Sequence, residues 1–151
     1  MIDRREQILA RLRVLIGTIP GVVKAARNGD ELSGLSRPAI FLHDAVEERV
    51  DTGGGGALDS QEQLMRLWPT IALLMGAPTE EIGPAISELR RLVLLAVLGD
   101  AELRTATGVP ARKQTIRFES LAVTTEAGET REGRADLVFE IDYVFKISEL
   151  V

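Results

Sequence analysis

Apolar residues near the start of the chain recur at three- and four-residue spacing. Ile8, Leu9, Leu12, Leu15, Ile16 and Ile19 share one side of a helical wheel, while Arg4, Arg5, Arg11 and Arg13 lie elsewhere. The spacing predicts a helix over residues 3–19, with Asp3 as N-cap, Glu6 placed as in a capping box, and Pro20-Gly21 as the stop. A short extended piece over 22–28 closes at the turn pair Asn28-Gly29. RPAIFLHDA, residues 37–45, predicts a strand, because Ala39 to Leu42 are apolar without a break. QLMRLWPTIALLMG, residues 63–76, predicts a longer one, in which Pro69 demands an edge position or a bulge.

Helical spacing returns from about Thr79 to Leu98, with Thr79 as N-cap, Glu80 and Glu81 at the positive end of the dipole and Pro84 near the first turn. Ile82, Ala85, Ile86, Leu89, Leu92, Val93, Ala96 and Val97 form its core stripe. Leu94, Leu95 and Leu98 widen the stripe beyond one face, which calls for a second apolar surface, either the first helix or another subunit. Gly99 ends the helix, and DAELRTATG, residues 100–108, predicts a helical turn running into a loop.

Two strands over 115–125 and 133–150 form a hairpin around the turn 126–132. In the second, Leu137, Phe139, Ile141, Tyr143, Phe145 and Ile147 share one face by period-two spacing. Asp136, Val138, Glu140, Asp142, Val144 and Lys146 share the other. An antiparallel sheet covered by helices on one side satisfies that alternation. The expected fold is α+β: a single two-layer domain over 1–151, with two helices on one face of a mainly antiparallel sheet and long projecting hairpins.

Composition narrows the function classes. The 151 residues fit one domain, and the net charge of −5 disfavours binding of nucleic acid or membrane through bulk charge. Without cysteine there are no disulfides, thiolate nucleophiles or cysteine zinc sites. The charged start MIDRREQIL lacks an apolar signal region, and the longest apolar run, LVLLAVL at 92–98, is too short for a bilayer. A cytoplasmic protein is expected, unless it leaves within a larger particle.

The glycines 53–56 do not make a phosphate cradle. No G-K-[ST] follows them, the first basic residue downstream is Arg66, and no helix opens there. Asp51 and Asp59 would repel an anion. His43-Asp44 could form a base with its orienting carboxylate, or part of a metal site for which only carboxylates such as Glu47, Glu48 and Asp51 are nearby, but a histidine near a strand end is the favoured reading. No serine sits in a nucleophile elbow. The expectation is no enzyme, cofactor or metal. Tyr143 belongs to the apolar alternation, whereas the place of Trp68 stays open.

The order of elements brings a family into view. REQILARL and LIGTIPGV lead to RNGDEL, then to RPAIFLHDAVEE, a glycine-rich loop, a strand ending in GAP, the helix EIGPAISELRRLVLLAVLGD and a closing hairpin. Over essentially its whole length this resembles the tail terminator proteins, also called tail completion or minor tail proteins, of long-tailed bacteriophages, prophages and gene transfer agents. The resemblance implies a ring in the virion tail, usually hexameric. Such a ring caps the tail tube, ends its polymerisation and meets the head-side connector. Its partners would be copies of itself, the tube protein and the connector, with DNA only passing through and no membrane. The alternatives are another tube-end or head-completion protein, or an oligomeric binding module outside phages.

Within that expectation Leu94, Leu95, Leu98, Val138 and Val144 are candidate subunit contacts, closing by rotation. The connection from about Glu47 to Glu62 would form an arm projecting roughly 25 Å. Its residues Asp51, Gly53, Gly54, Gly55, Gly56 and Asp59 would meet a neighbouring subunit or the tube. Glu47, Glu48, Asp51, Asp59 and Glu62, with Glu126, Glu129 and Glu132, are either solvated loop charges or the lining of an acidic lumen.

Overall fold

A computed structural model describes residues 1–28, 38–44, 46–50, 62–76, 81–110, 114–126 and 132–151. Helix α1 (Arg4–Gly17) starts as predicted, with the Asp3 carboxylate accepting the Glu6 N–H at 3.1 Å. Glu6 itself turns outward, and both its carboxylate oxygens accept from Arg27. Strand β1 (Lys24–Arg27) lies parallel to β2 (Ala39–His43). Strand β3 (Glu47–Arg49) follows almost at once and pairs antiparallel with β4 (Glu62–Leu67). Strand β5 (Thr70–Gly76) pairs with β2 on one side and with β7 (Glu132–Lys146) on the other. Strand β6 (Ile116–Glu126) completes the hairpin with β7.

The register simplifies this sheet. Leu67 of β4 faces Ile141 and Thr70 of β5 faces Val138, so β4 and β5 follow one unbroken register along β7. They are the single strand the sequence predicts, interrupted at Trp68-Pro69. Pro69 is not at an edge, however, because neighbours flank it on both sides. Its carbonyl accepts from Phe139 N–H at 3.0 Å, and the Trp68 N–H bonds Val46 O at 3.1 Å. The irregularity falls on the adjoining strand instead. Three residues separate His43 from Glu47 where two separate Leu67 from Thr70, which leaves one extra residue between β2 and β3.

Helix α2 (Ile82–Leu98) begins later than predicted: Glu81 takes the N-cap without a side-chain hydrogen bond, and Pro84 falls in the first turn. Thr79 and Glu80 lie outside the described residues. The expected helical turn is helix α3 (Ala101–Ala106), capped by Asp100, whose carboxylate accepts the Leu103 N–H at 2.8 Å. Among the described residues the three α-helices join one core. Ile8, Leu12 and Ile16 of α1, Ile86, Val93 and Val97 of α2 and Leu103 of α3 meet Ile40, Leu42, Ile71, Leu73, Leu137, Phe139 and Tyr143 of the sheet. Gly133 lets α2 come close to β7, since a Cβ there would stand 2.9 Å from Ile86 Cδ1.

The opposite face holds a second, small cluster: Ala39, Phe41 and Ala72, with Ala26 and Leu74 partly buried around them. This explains the unbroken run Ala39–Leu42, because β2 is buried on both faces. The architecture is a mostly antiparallel α+β fold, as the alternation required. The last strand stops earlier than the predicted residue 150. A 3₁₀ turn, Ile147–Glu149, replaces its end and leaves Ile147 56% exposed. The turn is drawn back toward α1, where Arg4 grips the Glu149 carboxylate at 2.7 and 2.9 Å and the Ile2 N–H reaches Glu149 O.

Candidate assembly surfaces

The C-terminal end of α2 is held firmly and presents leucines to solvent. Asp100 receives the Arg11 guanidinium at 2.7 and 2.8 Å, and Arg104 donates to Leu98 O at 3.0 Å. The Arg11 hydrogen bonds hold the Asp100 carboxyl below the usual carboxylate range, against the opposing effect of burial. On the outer stripe of the same helix, the exposed pair Glu88–Arg91 (2.6 Å) is followed by Leu95 and Leu98. Leu95 is 62% and Leu98 39% exposed. Leu94 differs, since it packs against the core beneath the helix. The excess width read from the sequence thus divides into one leucine turned inward and two turned out.

The sheet face away from the helices carries Val138 and Val144, both half-buried on β7. Between them lies a closed quartet of charges. Arg66 meets Asp142 at 2.7 Å and Glu140 at 3.0 Å, while Arg117 meets Glu140 at 2.7 Å and Asp142 at 3.0 Å. Burial opposes ionisation of Asp142, which is only 8% exposed, but the two guanidinium groups outweigh it and lower its pKa. The register that runs through β4 and β5 places Trp68 beside this quartet, opposite Glu140. Alternation with buried Leu67 puts it on the same face. Val138 and Val144 are therefore separated by charge and do not make one apolar patch.

The base of the expected arm is part of the sheet, which corrects its bounds. Glu47, Glu48 and Arg49 form β3, so the connection is shorter at its root than a loop from Glu47 would be. Tyr143 donates its hydroxyl to Glu47, and Arg5 approaches the same carboxylate at 3.3 Å. Burial, and then Glu47, push the Tyr143 hydroxyl far above its ordinary pKa. Glu62 pairs with Lys146 at 2.7 Å. Two members of the acidic group are therefore already neutralised. Asp51, Gly53, Gly54, Gly55, Gly56, Asp59 and Glu129 lie outside the described residues.

His43 ends β2 opposite Thr70. The Asp44 carboxylate accepts from Arg27 at 2.7 and 2.8 Å, so its oxygens serve the bridge from β1 to α1. Among the described residues no group of three or more acidic or histidine side chains is placed to hold a metal ion, and no helix is long and apolar enough to cross a membrane.

One surface went unread in the sequence. Among the described strands β6 pairs only with β7, so its outer side is an open edge. Residues 119–124 are exposed, with Leu121 at 37% and Val123 at 53%. The signal was present: SLAVTT, residues 120–125, carries no charge in an otherwise charge-rich chain. Compared with known proteins, the chain matches no family model and no curated sequence.

Proposed function

We propose that this chain is the subunit of a homo-oligomeric ring that caps a phage-type tail tube, ends its growth and joins it to the head-side connector. The reading rests on the family resemblance of the element order. In the structure it rests on Leu95 and Leu98, two neighbouring leucines exposed at a pinned helix end. Burying such a pair against the next copy is worth roughly 1–2 kcal/mol per leucine, and a heterologous contact repeated around a rotation axis closes a ring. The remaining partners in this reading are the tube protein, the connector, and DNA that passes through the lumen without sequence-specific binding.

The test is imaging. The purified chain, alone and with a candidate tail-tube protein, is examined by negative-stain electron microscopy. Closed rings are expected, and Leu95→Lys with Leu98→Lys should abolish them while leaving the thermal unfolding midpoint nearly unchanged. Both residues point outward, so their loss leaves no cavity. The absence of rings under both conditions, or rings that survive the double substitution, would contradict the reading.

A further inference from the structure

Along β7 the direction of the backbone groups can be read from two hydrogen bonds. Phe139 donates its N–H to Pro69 O, and Asp142 donates to Thr115 O. Odd-numbered residues of β7 therefore bond toward β4 and β5, and even-numbered residues bond toward β6. Ser120, Ala122 and Thr124 face Val138, Asp136 and Arg134, so their own N–H and C=O groups point inward. Those of Leu121 and Val123 point away from β7, to the open side.

Protein edges are usually guarded by lysine, proline or a bulge. Here a register shift falls between Phe118 and Ser120, beside Glu119, and the window beyond it has neither charge nor proline. The side chains of Leu121 and Val123 lie on the helix face of β6 and stay substantially exposed. Such an edge is complementary to an extended strand that offers apolar residues on the same face.

We propose that two copies of this chain pair edge to edge through β6, antiparallel about a two-fold axis at Ala122. In this register Leu121 of each copy faces Val123 of the other. Both residues direct their backbone groups outward, so each pair exchanges two hydrogen bonds. Ser120 meets Thr124 and Glu119 meets Thr125, which sets no like charges opposite one another. Centring the axis on Leu121 instead would oppose Val123 to the Glu119 carboxylate. Centring it on Val123 would face Leu121 with Thr125. Only the Ala122 register gives both Leu121 and Val123 an apolar partner. The pairing rests on β6 alone and stands apart from the ring reading.

The absence of cysteine gives a direct test. At a non-hydrogen-bonded antiparallel pair the Cα atoms lie about 4.5 Å apart, within disulfide reach. Ala122→Cys should therefore form a covalent dimer under mild oxidation. Ser120→Cys should not, because its copies would lie about 14 Å apart along the strands. Val123→Pro, placed in the Ala122→Cys protein, removes an outward N–H without touching the β7 ladder. It should abolish cross-linking with the circular dichroism spectrum unchanged. Ala122→Cys cross-linking no faster than Ser120→Cys would overturn the pairing, as would undiminished cross-linking with Val123→Pro. Rings seen without these cross-links would sink this inference alone, and cross-links without rings would sink only the proposed function.

Discussion

Asp142 shows how much one side chain carries on the open face of the sheet. It is nearly buried, and its ionised form is maintained by Arg66 and Arg117. Because its folded pKa lies below the unfolded value of about 3.9, it contributes stability above that pH. The contribution is lost as pH falls through the folded pKa. Asp142→Asn should therefore cost about 2 kcal/mol at pH 7, since it leaves two guanidinium groups sharing Glu140. The cost should shrink in acid, as pH falls through the folded pKa and the native carboxylate is itself protonated. Denaturant unfolding at pH 7 and along an acid series checks this, and an equal cost throughout would refute it. Gly108 makes a second case. Its φ is +67°, and a Cβ would come within 2.6 Å of the Arg4 guanidinium, which is anchored on Glu149. Gly108→Ala should destabilise by about 1–2 kcal/mol, from the left-handed backbone and the displaced arginine together. A midpoint unchanged in urea would show that the turn adapts freely.

Elements with a strong period were legible in the sequence. The apolar spacings of α1 and α2 and the alternation of β7 placed most of the core, and Tyr143 is buried where that alternation put it. What could not be read depended on neighbours. Thr79 looks like a cap, yet the helix starts at Ile82. Ile147 continues the alternation, yet the pull of Arg4 on Glu149 turns the chain before it. Pro69 suggested an edge or a bulge in its own strand, because nothing local announced that the adjoining strand would take the extra residue. The open edge of β6 was marked only by its uncharged window 120–125, since the order of strands in a sheet is a long-range property. Close approach of α2 to β7 yields a further prediction: Gly133→Val should overpack Ile82 and Ile86 and cost about 1–3 kcal/mol in chemical unfolding. No change would mean that the two layers separate more readily than this contact implies.

At the scale of the whole molecule, labour is divided by face. Helices close one side of the sheet, a quartet of paired charges occupies the other, and the end of α2 and the edge β6 each present neighbouring apolar residues to solvent. These two surfaces call for different symmetries. A two-fold contact through β6 closes on itself and cannot build a ring, whereas a heterologous contact through Leu95 and Leu98 can. If both operate, the chain has a dimer contact and a ring contact that do not compete for residues. Electron microscopy of the chain mixed with a candidate tail-tube protein bears most directly on the central claim. Closed rings seated on tube ends are the predicted result, lost when Leu95 and Leu98 are both replaced by lysine. Tubes with bare ends beside isolated monomers or dimers of this chain would contradict it.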